Sequence, residues 1–170
     1  LQYSVASASN LIKKPAELSF DDAAASVMSG LTAMLAMESV AQVGPGKHVL
    51  INGASGCVGT FAVQIAKARG AEVTGVCGPR NVDLVKSLGA DHVVGYTQED
   101  FTQGSVRYEV IFDNVINHPP QKVVARVLAS DGIFIPNSVG NTGGMFAGLP
   151  RMMRAFLMGI GSTNVKSVSA

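Results

Sequence analysis

Charge is what this sequence has least of. Asp, Glu, Lys and Arg make up 15% of its 170 residues, against a usual ~25% in globular domains. The formal net charge is +1 and no basic run is present, which removes the electrostatic footprint of a nucleic-acid binder. Two cysteines are too few for a disulfide scaffold or a structural zinc site with four protein ligands. No stretch approaches the ~20 apolar residues that span a bilayer. Leu1-Gln2-Tyr3-Ser4-Val5-Ala6 lacks the basic and apolar regions of a signal peptide, so the reducing cytoplasm is the expected compartment. Disorder is excluded, because 47% of the residues are hydrophobic and the chain is near neutral. A small domain this poor in charge is expected to have part of its surface covered. Leu1 is not an initiator methionine, and 164–170 alternates like a strand and then stops, so the chain is expected to be a piece of a longer one.

What the sequence does contain is strand-length apolar runs alternating with helical patterns. Ser19 and Asp22 suggest an N-cap for an Ala-rich helix, which Gly30 is expected to interrupt before a second helical stretch over 31–43. Apolar runs at 48–52, 72–76, 92–95, 108–114 and 132–136 read as buried parallel strands. Helical patterns fall at 58–69, 82–88 and 121–128, and a Met-rich helix at 150–158, with a candidate sixth strand at 165–168. Strand-helix alternation with short connections predicts an α/β fold of Rossmann type. Its doubly wound parallel sheet has helices on both faces, and ligands bind beyond the carboxyl strand ends. The loops over 53–57, 77–81, 114–118 and 136–140 are therefore the candidate site.

The first of these reads Gly53-Ala54-Ser55-Gly56-Cys57-Val58-Gly59. On the dinucleotide fingerprint, Ala54, Gly56 and Gly59 fill the three small positions. Gly56 lets backbone approach a pyrophosphate, Gly59 lets helix lie close on strand, and the helix N-terminus offers free N–H groups to the anion. Ala54 departs from glycine at the tight-turn position, with Gly53 before it. Because the pattern follows a strand and opens a helix, it has the context that gives it meaning. The end of the second strand, Val76-Cys77-Gly78-Pro79-Arg80-Asn81, carries no carboxylate of the kind that holds the NAD ribose. Arg80 is instead suited to a 2′-phosphate, so NADP(H) is the expected cofactor. Cys57 sits at a helix start, where a thiol pKa can fall, or serves only as a small residue there. His48 and His92 open strands and are read as structural. No Tyr is followed by Lys four residues on, as a short-chain dehydrogenase would require, and neither C-x-x-C nor H-E-x-x-H occurs. Arg151 and Arg154 beside Met152, Met153, Phe156 and Leu157 suit packing on a partner more than contact with a membrane.

Taken in order, Gly30-Leu31-Thr32-Ala33, the 52–59 loop, Val63-Gln64-Ile65-Ala66-Lys67, Ser87-Leu88-Gly89-Ala90-Asp91 and Asp113-Asn114-Val115 resemble the quinone oxidoreductase (zeta-crystallin-like) branch of the medium-chain dehydrogenase/reductase superfamily. The resemblance runs from about Leu1 to the chain end. It implies the cofactor domain of a two-domain enzyme, with 1–18 as the remnant of a connection to a catalytic domain. Residues 19–170 would then form the NADP-binding Rossmann domain, truncated at its C-terminal end. It also implies hydride transfer from NADPH to a quinone or α,β-unsaturated carbonyl without zinc, and a homodimer paired through the last strand. It places Thr32 and Asn114 near the nicotinamide ribose, Asn137 and Ser138 on the loop facing the nicotinamide, and Arg80 and Tyr96 near the adenosine 2′-phosphate. Ile116 departs from the glycine the branch often carries after Asp-Asn-Val. Two other readings stay open. One is a zinc-type alcohol dehydrogenase whose ligands lie outside these residues, and the other is a non-enzymatic NADPH-sensing interaction module.

Overall fold

The computed structural model of the protein describes residues 5–137. The Met-rich helix at 150–158, the sixth strand at 165–168 and Ser138 lie outside the described residues.

Five strands form one parallel sheet: β1 (His48–Asn52), β2 (Glu72–Cys77), β3 (His92–Gly95), β4 (Tyr108–Asp113) and β5 (Leu128–Pro136). Their order is β3-β2-β1-β4-β5, with every neighbouring pair parallel. The chain thus winds outward from β1 in one direction, returns past it to β4, and continues the other way. The reversal lies between β1 and β4, and a crevice opens there beyond the carboxyl ends of the strands.

Both faces are covered because the strands are apolar on both sides, as a parallel sheet requires. On one face Val49, Ile51, Val73, Val110 and Phe112 pack against α1 (Phe20–Met34), α2 (Cys57–Ala68) and α3 (Val82–Ser87), through residues such as Ala33, Val63 and Val85. On the other, Leu50, Val76, Ile111 and Phe134 meet Phe101 and the Val123 and Val127 side chains of α4 (Pro120–Val127). This is the doubly wound arrangement expected from the alternation of elements.

Three expectations need correction. Gly30 does not divide the first helix. The helix runs unbroken through it and continues as a π-helical turn over Leu35–Val40. A helical glycine costs only about 1 kcal/mol relative to alanine, and the packing of α1 on α2, where Gly30 faces the Phe61 ring, outweighs that. Secondly, β5 starts at Leu128, not at 132. Leu128 pairs with Tyr108 and the next pair is Val110 with Ile133, so 129–132 bulges from the ladder while buried Leu128 stays in the core. Thirdly, the helical run Phe20–Val40 is, by length and composition alone, long and apolar enough to cross a membrane. It nevertheless carries Asp21, Asp22 and Glu38, and it buries Ala33, Ala36 and Met37 in the core. The N-cap expectation holds: Ser19 Oγ accepts from Asp22 N at 3.0 Å.

On the second face, a carboxylate ties the 3-10 turn Phe101–Gln103 to α4. Asp100 Oδ1 accepts from Thr102 N at 2.9 Å and Thr102 Oγ1 at 2.7 Å, and Oδ2 accepts from Lys122 Nζ at 3.2 Å. Burial alone would raise the Asp100 carboxyl, but the donors from Thr102, Lys122 and Gln103 outweigh it and hold the pKa well below the usual carboxylate range. A depressed folded-state pKa contributes stability that is present above the unfolded pKa of ~3.9 and lost as pH falls through it toward the folded value. Acidification from about pH 5 to pH 2 is therefore expected to lower the melting temperature more in the unmutated chain than in Asp100→Asn. The difference corresponds to about 1 kcal/mol after allowance for solvent screening. Parallel pH profiles of the two proteins would exclude this role.

Candidate functional site

The loop after β1 takes its shape from glycine. Gly53 has φ +78°, a conformation open to glycine at no steric cost, and the N–H groups of Gly53 and Ala54 both donate to Val76 O, at 3.0 and 2.9 Å. The tight turn of the fingerprint is thus made by Gly53. Ala54, at the position assigned to that turn, is fully buried and fits in the space left by the missing side chain of Gly75. Gly59 is the point of closest approach. A Cβ there would lie 2.1 Å from Gly53 O and 2.8 Å from Ala54 Cα, so α2 rests on the loop with room for a hydrogen atom only.

Gly56 is the N-cap of α2 and offers no side-chain acceptor. The first helical bond runs from Thr60 N to Gly56 O at 2.9 Å. The amides of Cys57, Val58 and Gly59 come before it, at the positive end of the helix dipole. They face a cleft of about 700 Å³ at the sheet's reversal point, which Ser55, Gly56, Cys57, Val58 and Gly59 line on one side. Gly78, Asn81 and Tyr96 line it at the β2 side, and Asn114 and Asn137 at the β4 and β5 side. Tyr96 stands over Gly78, its Oη 3.2 Å from where a Cβ would be, and Asn81 Nδ2 donates to Ser55 Oγ at 3.2 Å, linking two rims. Among the described residues no Asp, Glu, Lys, Arg or His lines the cleft, so an anion here would meet backbone amides and side-chain amides. A glycine-formed cradle whose amides lead a helix, with no carboxylate at the end of β2, fits a dinucleotide pyrophosphate.

Most of the residues expected from the sequence come together here. Three of those among the described residues do not reach the cleft wall: Ala54, buried behind the turn, and Arg80 and Thr32. Arg80 lies in the turn Pro79–Asn81, exposed beside the Asn81 rim, with no ion pair among the described residues. Thr32 is on α1, and its hydroxyl donates to Met28 O at 2.8 Å. His48 and His92 sit at the opposite end of the sheet, both against Glu72, at 3.4 and 2.8 Å. Ile116 has φ +51°, the conformation that glycine takes freely and a β-branched residue takes only at a cost. This gives a physical reason for the glycine expected at that position. Cys57 is an exposed thiol at the cleft, while Cys77 is buried, which pushes its thiol up.

Asn52 and Val76 also line the cleft but lie outside the loops expected from the sequence, whereas Cys77, Val115 and Asn117 fall within those loops without having been singled out. The signal for Asn52 was a polar residue closing an otherwise apolar strand. Asn52 is 2% exposed and its Nδ2 donates to Asp113 Oδ1 at 2.8 Å and to Asn117 Oδ1 at 2.9 Å.

A model of the zinc-binding dehydrogenase family matches residues 57–157. The chain is 44% identical over 100 residues to the chloroplastic quinone-oxidoreductase QR1 of Triphysaria versicolor, a match that covers 56% of this chain and 30% of that protein. The chain spans about a third of the length of the curated relatives it matches. Among solved structures, the CurK enoyl reductase superposes with a TM-score of 0.72 at 26% identity, over 92% of this chain and 46% of that one. The quinone oxidoreductase from Thermus thermophilus, solved also in complex with NADPH, superposes with a TM-score of 0.62 at 32% identity, over 72% and 41%. The family is described by zinc, but among the described residues no group of three or more His, Cys, Asp or Glu is placed to hold a metal ion, and no metal role is assigned to them. The glycine-shaped loop, the strand order and the family match lead to one conclusion: the chain belongs to the zinc-binding dehydrogenase family of the medium-chain dehydrogenase/reductase superfamily, on its quinone oxidoreductase branch.

Proposed function

We propose that these residues are the NADP(H)-binding part of an oxidoreductase that reduces a quinone or an α,β-unsaturated carbonyl. The observation that carries the cofactor assignment is the end of β2. It closes on Cys77 and Gly78 without a carboxylate, next to the exposed Arg80, which has no ion pair among the described residues. A carboxylate there would repel a 2′-phosphate, whereas a guanidinium binds one through charge-assisted hydrogen bonds. The relatives support the reaction class, since they include quinone oxidoreductases and an enoyl reductase, one of them solved with NADPH.

The nicotinamide cofactor would supply the hydride. The amides of Cys57, Val58 and Gly59 would hold its pyrophosphate, and Asn114 and Asn137 would orient its nicotinamide end. Tyr96 and Arg80 would hold its adenosine end. The substrate wall is assigned to a catalytic domain in the longer protein. Support for such a covering comes from α1, which exposes Phe20, Val27, Met28, Leu31 and Met34 along one face at helical spacing. The run Phe20–Val40 carries no Lys or Arg to attract an anionic lipid surface, so protein is the cover that fits. Pairing of two copies through the last strand is part of the same proposal.

Calorimetric titration of NADPH and NADH tests the cofactor. The chain is expected to prefer NADPH, and Arg80→Ala to remove that preference. A hydrogen bond to a charged group contributes roughly 1.5–3 kcal/mol, a loss of about 10- to 150-fold in affinity. Equal affinity for both cofactors in the unmutated chain would sink the NADPH assignment.

A further inference from the structure

The side-chain amides at the carboxyl ends of β1, β4 and β5 form two hydrogen-bonded branches that meet at Asn52, and a carboxylate decides the direction of one of them. Asp113 is fully buried. Its Oδ1 already accepts from the main-chain N–H groups of Val115 and Ile116, so Asn52 must turn its Nδ2 toward that oxygen, at 2.8 Å. The same Nδ2 donates to Asn117 Oδ1 at 2.9 Å. That uses the Asn117 carbonyl and leaves its amino group as the free end. On the other flank Asn114 Nδ2 donates to Asn52 O at 3.1 Å, and Asn137 Nδ2 donates to Asn114 Oδ1 at 2.8 Å. That leaves Asn137 with its carbonyl oxygen. An isolated amide can flip at little cost in shape, but here two accepting oxygens, Asp113 Oδ1 on one branch and the Asn52 main-chain carbonyl on the other, remove the choice.

The anchor also bends the loop that carries Asn117. Asp113 Oδ1 accepts from Val115 N at 3.1 Å and Ile116 N at 2.8 Å. Ile116 is held there at φ +51°, a state that persists only where its surroundings over-determine it. The second oxygen, Oδ2, is buried with no partner among the described residues. All that the Asp113 side chain does for the cleft therefore passes through one oxygen atom, while its main-chain carbonyl separately accepts from Asn137 N at 2.8 Å.

We propose that Asp113 is a positioning residue of the dinucleotide site. Acting through Asn52 and the 115–116 backbone, it makes Asn117 present its Nδ2 as a donor, beside the Asn137 Oδ1 acceptor that the Asn52 main-chain carbonyl sets through Asn114, to a ligand group that both accepts and donates. This rests on the NADP(H) reading. The nicotinamide half of that cofactor offers two groups of this chemistry, the ribose diol and the carboxamide. Asp113 matters as an acceptor and not as a charge.

Titration of the 170-residue chain with three probes tests this: NADPH, 2′-phospho-ADP-ribose, which lacks the nicotinamide, and adenosine 2′,5′-bisphosphate, which lacks that whole half. Asp113→Ala is expected to weaken NADPH about tenfold, the loss of one to two neutral hydrogen bonds, and to leave the bisphosphate within about twofold. Asp113→Asn, which keeps an oxygen on the same three donors, is expected to recover the affinity. Asn117→Ala, at an exposed position where the fold is not at risk, is expected to weaken NADPH by about 2- to 12-fold. An equal loss for 2′-phospho-ADP-ribose supports the proposal and assigns the diol. A loss confined to NADPH supports it and assigns the carboxamide. Undiminished NADPH binding by Asn117→Ala overturns the proposal. So does an equal loss of NADPH and bisphosphate in Asp113→Ala, or failure of Asp113→Asn to recover. Failure of the unmutated chain to bind any of the three is a different result, which overturns the dinucleotide reading and this assignment with it.

Discussion

Phe112→Ala is expected to destabilise the chain by about 3–5 kcal/mol, the range for truncating a buried aromatic to alanine. Phe112 is fully buried. It lies in β4 between Ile51 of β1 and Ile135 of β5, paired with both in register. Its side chain fills the face covered by α1, α2 and α3. Strands on either side fix the backbone, so the walls cannot collapse into the space left behind, and the cavity term adds to the lost transfer free energy. A denaturant titration that keeps its slope and moves its midpoint would report the change as stability alone. Phe20→Ala is the control: Phe20 is 82% exposed, and its removal is expected to move the midpoint little in this chain. Equal midpoints for the two variants would contradict the burial on which the fold description rests.

Gly59→Ala is expected to cost about 3 kcal/mol, the upper part of the usual range for inserting a methyl group into filled space. The atoms in its way are Gly53 O at 2.1 Å and Ala54 Cα at 2.8 Å. Both are backbone, so no side chain can rotate aside, and α2 has to move away from the loop. At this chain length that is roughly a 6–12 °C fall in melting temperature. The second effect is on binding. The amides of Cys57 and Val58 move with the helix, away from Gly53 and Ala54, and the cradle for an anion opens. NADPH affinity is therefore expected to fall further than the stability loss alone explains, measured at a temperature where the variant is fully folded. A variant with unchanged melting temperature and unchanged NADPH affinity would mean that the close approach of helix and loop is not needed.

The two substitutions probe different kinds of information. Gly59 was identifiable from the sequence, because its role follows from short-range geometry: a strand, a turn and a helix start within a dozen residues. The apolar runs that became β1 to β4, and the Ser19 N-cap, were legible for the same reason. Gly30 and Leu128 misled. A glycine signals a helix break only where packing does not oppose it, and α2 opposes it. Leu128 continues a helical pattern, but its burial against Tyr108 draws it into the sheet. Thr32 was placed at the cofactor by resemblance, and Arg80 by its charge as well, yet neither lines the cleft wall.

By itself the sequence determined the alternation of strands and helices, the parallel sheet, and the loop whose glycines suit a dinucleotide. Hydrophobic periodicity and glycine act over a few residues, so a linear reading captures them. Only the tertiary structure decided that Asn52 and Asp113, 61 positions apart, stand side by side. Pairing β1 with β4 in register brings them together at the point where the winding reverses. That pairing buries a carboxylate beside an amide, and the direction of the Asn52 and Asn117 side-chain hydrogen bonds on the cleft floor follows from it. No local pattern around either residue encodes the contact, because its energy is realised only after the chain has crossed the sheet.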